Sequence, residues 1–140
     1  MARSEIDETM ARIPIFSECS KKQLKEISGL LTSIRVKAGE VLAEQGKSGH
    51  DFMIIEQGRA TVKRDGADIG TLGQGDFFGE LAMIADVPRT ATVVADDDMI
   101  VWVLGHSEFS SLLRGNASIA MSVLVSAVKR LYNDNQRGVH

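Results

Sequence analysis

The chain has 140 residues, of which 44% are hydrophobic and 25% charged, and its formal net charge at pH 7 is −3. This composition is typical of one globular domain with a sizeable core. The acidic balance, with a single Trp and a single Tyr, disfavours a nucleic-acid binder, which needs a basic surface or aromatic stacking platforms. No stretch is long and apolar enough to span a membrane, the N-terminus lacks the pattern of a secretory signal, and the lone Cys19 fits a reducing compartment. We therefore predict a single cytoplasmic domain, 1–140, with no nucleic-acid or membrane partner.

The N-terminal zone, residues 5–34, is predicted to be helical. Pro14 marks a break before its main helix, SKKQLKEISGLL. This helix begins at Ser20, a good N-cap residue, and places its Leu and Ile side chains on one face.

The central zone, residues 35–104, changes to short runs rich in Val, Ile and Thr between turn signals such as QGKSGHD, RDGAD and GQGD. Turn signals about ten residues apart predict an all-β sandwich or barrel. RATVKR and DIGTL flank the sequence DGA and predict a hairpin. GELAMIA, residues 79–85, begins at a glycine and is rich in helix formers, so we predict a short helix inserted among the strands.

The C-terminal zone, residues 107–135, returns to a helical pattern. A first helix is predicted to begin at Ser107 as N-cap and to end near Gly115. A longer helix follows in ASIAMSVLVSAVKRLYNDN, and its apolar residues cover more than one stripe. We interpret this as contact with the barrel on one side and with a ligand or second subunit on the other. Deep burial within a monomer is the alternative.

One acid, Glu80, and one base, Arg89, stand within the apolar stretch FFGELAMIADVPRTATVV. Buried charges are costly unless they are paired. A helix that begins at a glycine offers free backbone N–H groups to an anion, and a nearby arginine suits a phosphate, while a carboxylate suits a ribose hydroxyl. The expected backbone donors are Gly79, Leu81 and Ala82. An internal Glu80–Arg89 salt bridge is the alternative, and the residue types alone leave both open.

The sequence FGELA, a short loop and then PRTATV closely resemble the phosphate-binding cassette of the cyclic nucleotide-binding domain family. The upstream segment AGEVLAEQGKSGHDFMIIEQGRATV resembles the first strands of that family, and the helical ends resemble its flanking helices. The resemblance thus covers nearly the whole chain. It implies a mainly β fold with flanking helices: an eight-stranded β-roll or jelly-roll barrel with N-terminal helices, a short cassette helix and two C-terminal helices.

The resemblance also implies a ligand, a 3′,5′-cyclic nucleotide, with cAMP favoured over cGMP. Arg89 would pair with the cyclic phosphate and Glu80 would accept the ribose 2′-hydroxyl. The other implied contacts are backbone N–H groups of Gly79, Leu81 and Ala82, the hydroxyl or N–H of Thr90, and packing by Val62. In some family members a Thr after the Arg contacts guanine, so Thr90 bears on the choice of base. The last helix would close over the base as a lid through Val128, Leu131 and Tyr132.

Members of this family usually regulate an attached unit, and few residues remain after the last predicted helix. We therefore expect a free-standing sensor or a fragment of a longer chain, which acts through an unidentified protein partner or as a homodimer through the C-terminal helix. A cupin-type metalloenzyme would need clustered histidines, whereas His50, His106 and His140 are scattered, so we predict no metal and no catalysis. The other alternative is a ligand-independent interaction module, which would predict damage to the cassette Arg or Glu.

Overall fold

The structure is a computed structural model that describes residues 3–138, and the side chains of residues 5–133. The chain packs as two compact units, Met1–Leu30 with Ser110–His140, and Leu31–Phe109. The assignment of 1–140 to a single domain stays a prediction.

The first unit is helical and is built on an amphipathic N-terminal pair. Its elements are α1 (Arg3–Arg12), a 3-10 helix (Pro14–Phe16), α2 (Lys21–Ser28), the end of α4 (His106–Gly115) and α5 (Ala117–Gly138). A capping box starts α2 as predicted, because the Ser20 hydroxyl accepts from the Gln23 N–H while the Gln23 side chain accepts from the Ser20 N–H. Residues that are fully buried here include Ile6, Met10, Phe16, Ile27 and Ile119.

A buried serine ties α5 to the segment that precedes α2. The Ser126 hydroxyl accepts a hydrogen bond from the backbone N–H of Glu18 at 2.9 Å and donates to the Ser122 carbonyl at 2.8 Å. Both polar functions of this buried hydroxyl are therefore satisfied. The contact fixes which face of α5 points into the helical unit.

The second unit contains two four-stranded antiparallel sheets, with strand orders β1-β8-β3-β6 and β2-β7-β4-β5. The strands are β1 (Thr32–Val36), β2 (Val41–Ala43), β3 (Asp51–Gln57), β4 (Ala60–Arg64), β5 (Ala67–Leu72), β6 (Phe77–Phe78), β7 (Thr92–Ala95) and β8 (Met99–Gly105). A short helix, α3 (Glu80–Ile84), lies between β6 and β7. The predicted mainly β fold with flanking helices is confirmed, and so is the inserted helix in GELAMIA.

The core of the β unit lies between the two sheets. It is formed by inward-facing side chains that alternate with outward-facing ones along the strands. The buried members are Val36, Ala43, Met53, Ile55, Ala60, Val93, Ala95, Met99 and Val101. This packing holds the strand ends that carry α3 and its neighbouring loops.

The predicted hairpin is formed by β4 and β5, with Arg64 opposite Ala67 in the register. Its two turn residues, Asp65 and Gly66, both have positive φ, at 53° and 82°. Such a two-residue turn matches the natural twist of paired strands. Gln45 fixes the turn from outside, because its side chain accepts from the Asp65 N–H at 2.8 Å and donates to the Asp65 carboxylate at 2.9 Å.

Three predicted zone boundaries are wrong. The helical zone 5–34 ends too late, since β1 begins at Thr32 and pairs residue by residue with β8. Tertiary pairing of a β-branched segment decides this boundary, and local pattern does not reveal it. The C-terminal helices predicted for 107–135 begin at His106 and run to Gly138. Ser107 is therefore not an N-cap, because β8 continues to Gly105, which pairs with Asp51, and α4 follows at once.

Among the described residues, no single helix has the length and hydropathy needed to cross a bilayer, although α4 and α5 pass that test when they are counted together as a bent pair.

Candidate functional site

A pocket of about 340 Å³ opens in the β unit beside α3. Its volume falls in the range of small-molecule sites, about 300–1,000 Å³. Val62 and Leu72 form part of its apolar wall, and the side chains of β6 and the loop after α3 complete it. Three charged residues line it: Arg64, Glu80 and Arg89. An apolar cavity with a few converging charges is the usual form of a site for a small polar ligand.

Gly79 starts α3 in a conformation that other residues rarely adopt. Its φ is 90°, in the left-handed region, and it occupies the N-cap position of the helix. A Cβ atom built there would lie 2.5 Å from Nη1 of Arg89 and would overlap the carbonyl oxygen of Asp51. Glycine is therefore required both by the backbone and by the close approach of the arginine.

Arg89 is held by the loop between β2 and β3. Its backbone N–H donates to the Lys47 carbonyl at 2.9 Å, and its carbonyl accepts from the Gly46 N–H at 2.8 Å. The guanidinium Nη2 donates to the carbonyl oxygen of Asp51 at 2.8 Å. Hydrogen bonds within the protein thus position Arg89 at both its backbone and its guanidinium.

The electrostatics of Arg89 favour an anion. Burial lowers the pKa of its guanidinium, and the carboxylates of Asp51 and Glu80 oppose that effect. The Nη1 atom is buried and has no hydrogen-bond partner among the residues that the structure describes. A buried charged donor without a partner is costly. The arrangement suits a ligand that brings a negatively charged oxygen to this nitrogen.

A second glycine makes room for the same guanidinium. A Cβ atom built on Gly49 would overlap Nε of Arg89 and would lie 2.7 Å from its Cζ. Gly49 is not among the positive-φ glycines, so space for the arginine, and not backbone conformation, explains this residue. The guanidinium is therefore flanked by Gly49 and Gly79.

Comparison with known proteins identifies the family of the chain. Residues 33–116 match the family model described as the cyclic nucleotide-binding domain. The chain belongs to the cyclic nucleotide-binding domain family. The matched residues run from the second residue of β1 to the residue before α5 and include the whole pocket.

A regulatory subunit of a protein kinase and a protein kinase are similar in sequence to this cyclic nucleotide-binding domain. A cAMP-dependent protein kinase regulatory subunit of Yarrowia lipolytica is 36% identical over 79% of the chain and 30% of that protein. A cGMP-dependent protein kinase of Toxoplasma gondii is 31% identical over 79% of the chain and 12% of that protein. The chain thus spans less than a third of either relative.

A solved structure shares the fold. The N-terminal domain of a transcriptional regulator from Streptomyces coelicolor A3(2) superposes with a TM-score of 0.80, covering 94% of both chains at 24% identity. At this identity the likeness concerns the fold alone.

The structure brings seven of the predicted site residues together around the pocket of the cyclic nucleotide-binding domain. They are Val62, Gly79, Glu80, Leu81, Ala82, Arg89 and Thr90. Their individual contacts with a ligand stay predictions. The predicted lid residues lie on α5, in the helical unit. Their exposed fractions are 55% for Val128, 64% for Leu131 and 64% for Tyr132. Their role as a lid also stays a prediction.

Sequence reasoning missed two residues that shape the site of this domain and a third that contacts α3. Gly49 sits in a turn signal and gives no sign of its contact with Arg89. Arg64 ends a strand, where an exposed arginine is ordinary. His106 lies with Nδ1 2.5 Å from the Met83 carbonyl of α3, and its ring centroid is 5.7 Å from that of His50. In the described part of the chain, no three His, Cys, Asp or Glu side chains are grouped so that they could hold a metal ion.

Proposed function

We propose that this domain binds a 3′,5′-cyclic nucleotide in the pocket beside Arg89 and serves as a sensor or regulatory module without catalytic activity of its own. The observation that carries the proposal is the half-buried Arg89 guanidinium. It faces the pocket with a buried Nη1 that lacks a hydrogen-bond partner among residues 3–138. A cyclic phosphate has two exocyclic oxygens that share its negative charge, and either of them can supply that partner.

The ribose is assigned to Glu80. This residue opens α3 and lines the pocket next to Gly79, and its carboxylate contributes to the potential at Arg89. A carboxylate at that place would accept the 2′-hydroxyl, while the backbone N–H groups at the start of α3 would face the phosphate. In this assignment the phosphate contacts the positively charged Arg89 and the ribose contacts the negatively charged Glu80.

The base is assigned to the remaining wall of the pocket, which includes Val62, Leu72 and Thr90. We favour cAMP as the physiological ligand, with cGMP as the second candidate. Relatives whose names contain each of the two nucleotides are similar to this chain at 36% and 31% identity.

A catalytic role has less support. Burial raises the pKa of the Cys19 thiol to about 11, so this cysteine is not an activated nucleophile. A chain with one cysteine, kept as a thiol, is in keeping with residence in the cytoplasm, which we also propose.

The output is assigned to α5. Its buried residues are Ile119, Val123 and Ser126, whereas a second set of apolar residues is exposed: Met121, Leu124, Val125, Val128, Leu131 and Tyr132. These exposed positions recur at spacings of three and four and form one stripe, here named the α5 stripe. We propose that the α5 stripe carries the signal, by closing over the base as a lid and by contacting a protein partner or a second copy of the chain.

The first test concerns the α5 stripe. Saturating cAMP or cGMP is expected to slow amide hydrogen exchange across residues 121–132 by several-fold, because covering this face would lower its opening frequency. Exchange in α2 serves as the internal reference and is expected to change little. Exchange rates in 121–132 that do not respond to either nucleotide would assign the stripe to a purely structural role.

The second test concerns binding itself. A cyclic nucleotide at about 100 times its dissociation constant is expected to stabilise the native domain by about 2.7 kcal/mol, which corresponds to a rise in Tm of about 8 °C. Parallel thermal and calorimetric titrations with cAMP and cGMP measure this shift, and 5′-AMP serves as the matched control without a cyclic phosphate. A folded protein that shows neither heat nor a Tm shift at millimolar cAMP and cGMP would instead be a ligand-independent interaction module.

A further inference from the structure

The pocket contains a third charged side chain that neither the phosphate nor the ribose requires. Arg64 is the last residue of β4, two positions after Val62, and both residues line the pocket. Its Nε donates a hydrogen bond to the backbone carbonyl of Thr90 at 3.1 Å. This is the one hydrogen bond of the Arg64 side chain within the described part of the chain, where the side chain also forms no ion pair. A cation is thus held at the pocket wall with its terminal nitrogens available.

The position of Arg64 is fixed by the β4–β5 hairpin in which it lies. It pairs with Ala67 across the tight Asp65–Gly66 turn, and Gln45 makes two hydrogen bonds to Asp65. The Gln45 backbone N–H also donates to the hydroxyl of Thr92 at 3.0 Å, which ties the same turn to β7. Because the hairpin is braced in this way, Arg64 is pre-organised next to Thr90, and binding does not have to order a free loop.

The guanidinium geometry determines which partner fits. With Nε committed to the Thr90 carbonyl, the two Nη groups remain as a planar fork of donors with no acceptor. Guanine offers two acceptors on one edge, O6 and N7, whereas adenine offers N7 beside the N6 amino donor. A donor-only fork therefore complements a 6-oxopurine and meets an unfavourable donor on adenine.

We propose that Arg64 is a specificity-determining residue that reads the O6/N7 edge of the base and raises the affinity for cGMP relative to cAMP. The inference rests on the proposed function, since it places the base in the part of the pocket that is not assigned to the phosphate beside Arg89 or to the ribose beside Glu80. It predicts that this domain accepts cGMP as well as cAMP, and that the affinity for cGMP depends on Arg64.

The test is a set of calorimetric titrations of the full chain with cAMP, cGMP and cyclic inosine monophosphate, which keeps O6 and N7 but lacks the 2-amino group. Arg64→Ala is expected to weaken cGMP binding about tenfold and to leave cAMP binding within about twofold, as for the loss of one bidentate contact with a base. Cyclic inosine monophosphate is expected to follow cGMP. Lys63→Ala is the matched control, because Lys63 is the neighbouring cation, pairs with Asp68 at 3.7 Å and does not line the pocket.

The outcomes separate the inference from the function on which it rests. If Arg64→Ala lowers the affinity for all three nucleotides equally, or changes none of the three affinities, Arg64 does not read the base. Cyclic nucleotide binding itself would still stand. A lower affinity for cGMP alone would also overturn the base-reading role. The substitution would then act through Thr90 on the 2-amino group, which cyclic inosine monophosphate lacks. Folded wild-type protein that binds none of the three nucleotides would contradict the proposed function itself.

Discussion

Replacing Arg89 by leucine is expected to weaken cyclic nucleotide binding by about 100- to 1,000-fold. Removing one partner of a buried, hydrogen-bonded charge pair costs about 3–4 kcal/mol in affinity, which is two to three orders of magnitude in Kd. The guanidinium is half-buried against Asp51, and the loop residues Gly46 and Lys47 hold its backbone. A lysine or water cannot reproduce the planar donor fork at this place.

The same substitution is expected to leave the free domain almost as stable as the wild type. Arg89→Leu loses the hydrogen bond to the Asp51 carbonyl but also removes Nη1, which is buried without a partner among the described residues. The two effects are each about 1 kcal/mol and opposite in sign. Isothermal calorimetry measures the affinity and thermal unfolding measures the stability, and Arg35→Leu at an exposed position of β1 is the control. If a folded Arg89→Leu protein binds the nucleotide with unchanged affinity, Arg89 does not belong to the binding site.

Adding a single methyl group at Gly49 is expected to weaken binding by about 10- to 150-fold. The new Cβ would overlap the Arg89 guanidinium, so the guanidinium must leave its position between Gly49 and Gly79. A displaced arginine would lose the proposed charge-assisted contact with the phosphate, which is worth about 1.5–3 kcal/mol. Gly49 does not have a positive φ, so Gly49→Ala tests the space around Arg89 without imposing backbone strain.

A double-mutant cycle shows whether Gly49 acts through Arg89. In the Arg89→Leu background the guanidinium is absent, so Gly49→Ala is expected to change the remaining affinity by less than about twofold. Gly73→Ala is the matched control, because a Cβ there would meet no atom within 4 Å. If Gly49→Ala weakens binding equally in both backgrounds, the glycine contributes to the site independently of the arginine.

The local chemistry of the cassette could be predicted from the sequence because it depends on neighbours in the chain. Gly79 precedes a short helix, Glu80 opens it, and Pro88 and Arg89 end the following loop. The hairpin around DGA could be predicted for the same reason, since its turn requires residues that tolerate positive φ, although the turn consists of Asp65 and Gly66 only and Ala67 already belongs to β5.

Other features of the fold and the site could not be predicted from a local sequence pattern. The boundary at Thr32 depends on pairing with β8, whose residues lie about seventy positions away along the chain. The overlap of Gly49 with Arg89 depends on the β2–β3 loop folding onto the cassette, where Ser48 and Pro88 form a β-bridge. Arg64 looks like an exposed strand residue until its hydrogen bond to Thr90 places it at the pocket.

The sequence by itself determined the family, the mainly β fold and the residue types of the site. It could do so because the cassette contains a helix start, an acid and an arginine within one continuous segment. The tertiary structure decided how Arg89 is held, which glycines make room for it and which cation faces the rest of the pocket. These contacts join residues that are distant in sequence, and their geometry follows from strand pairing and loop packing, which residue types alone do not specify.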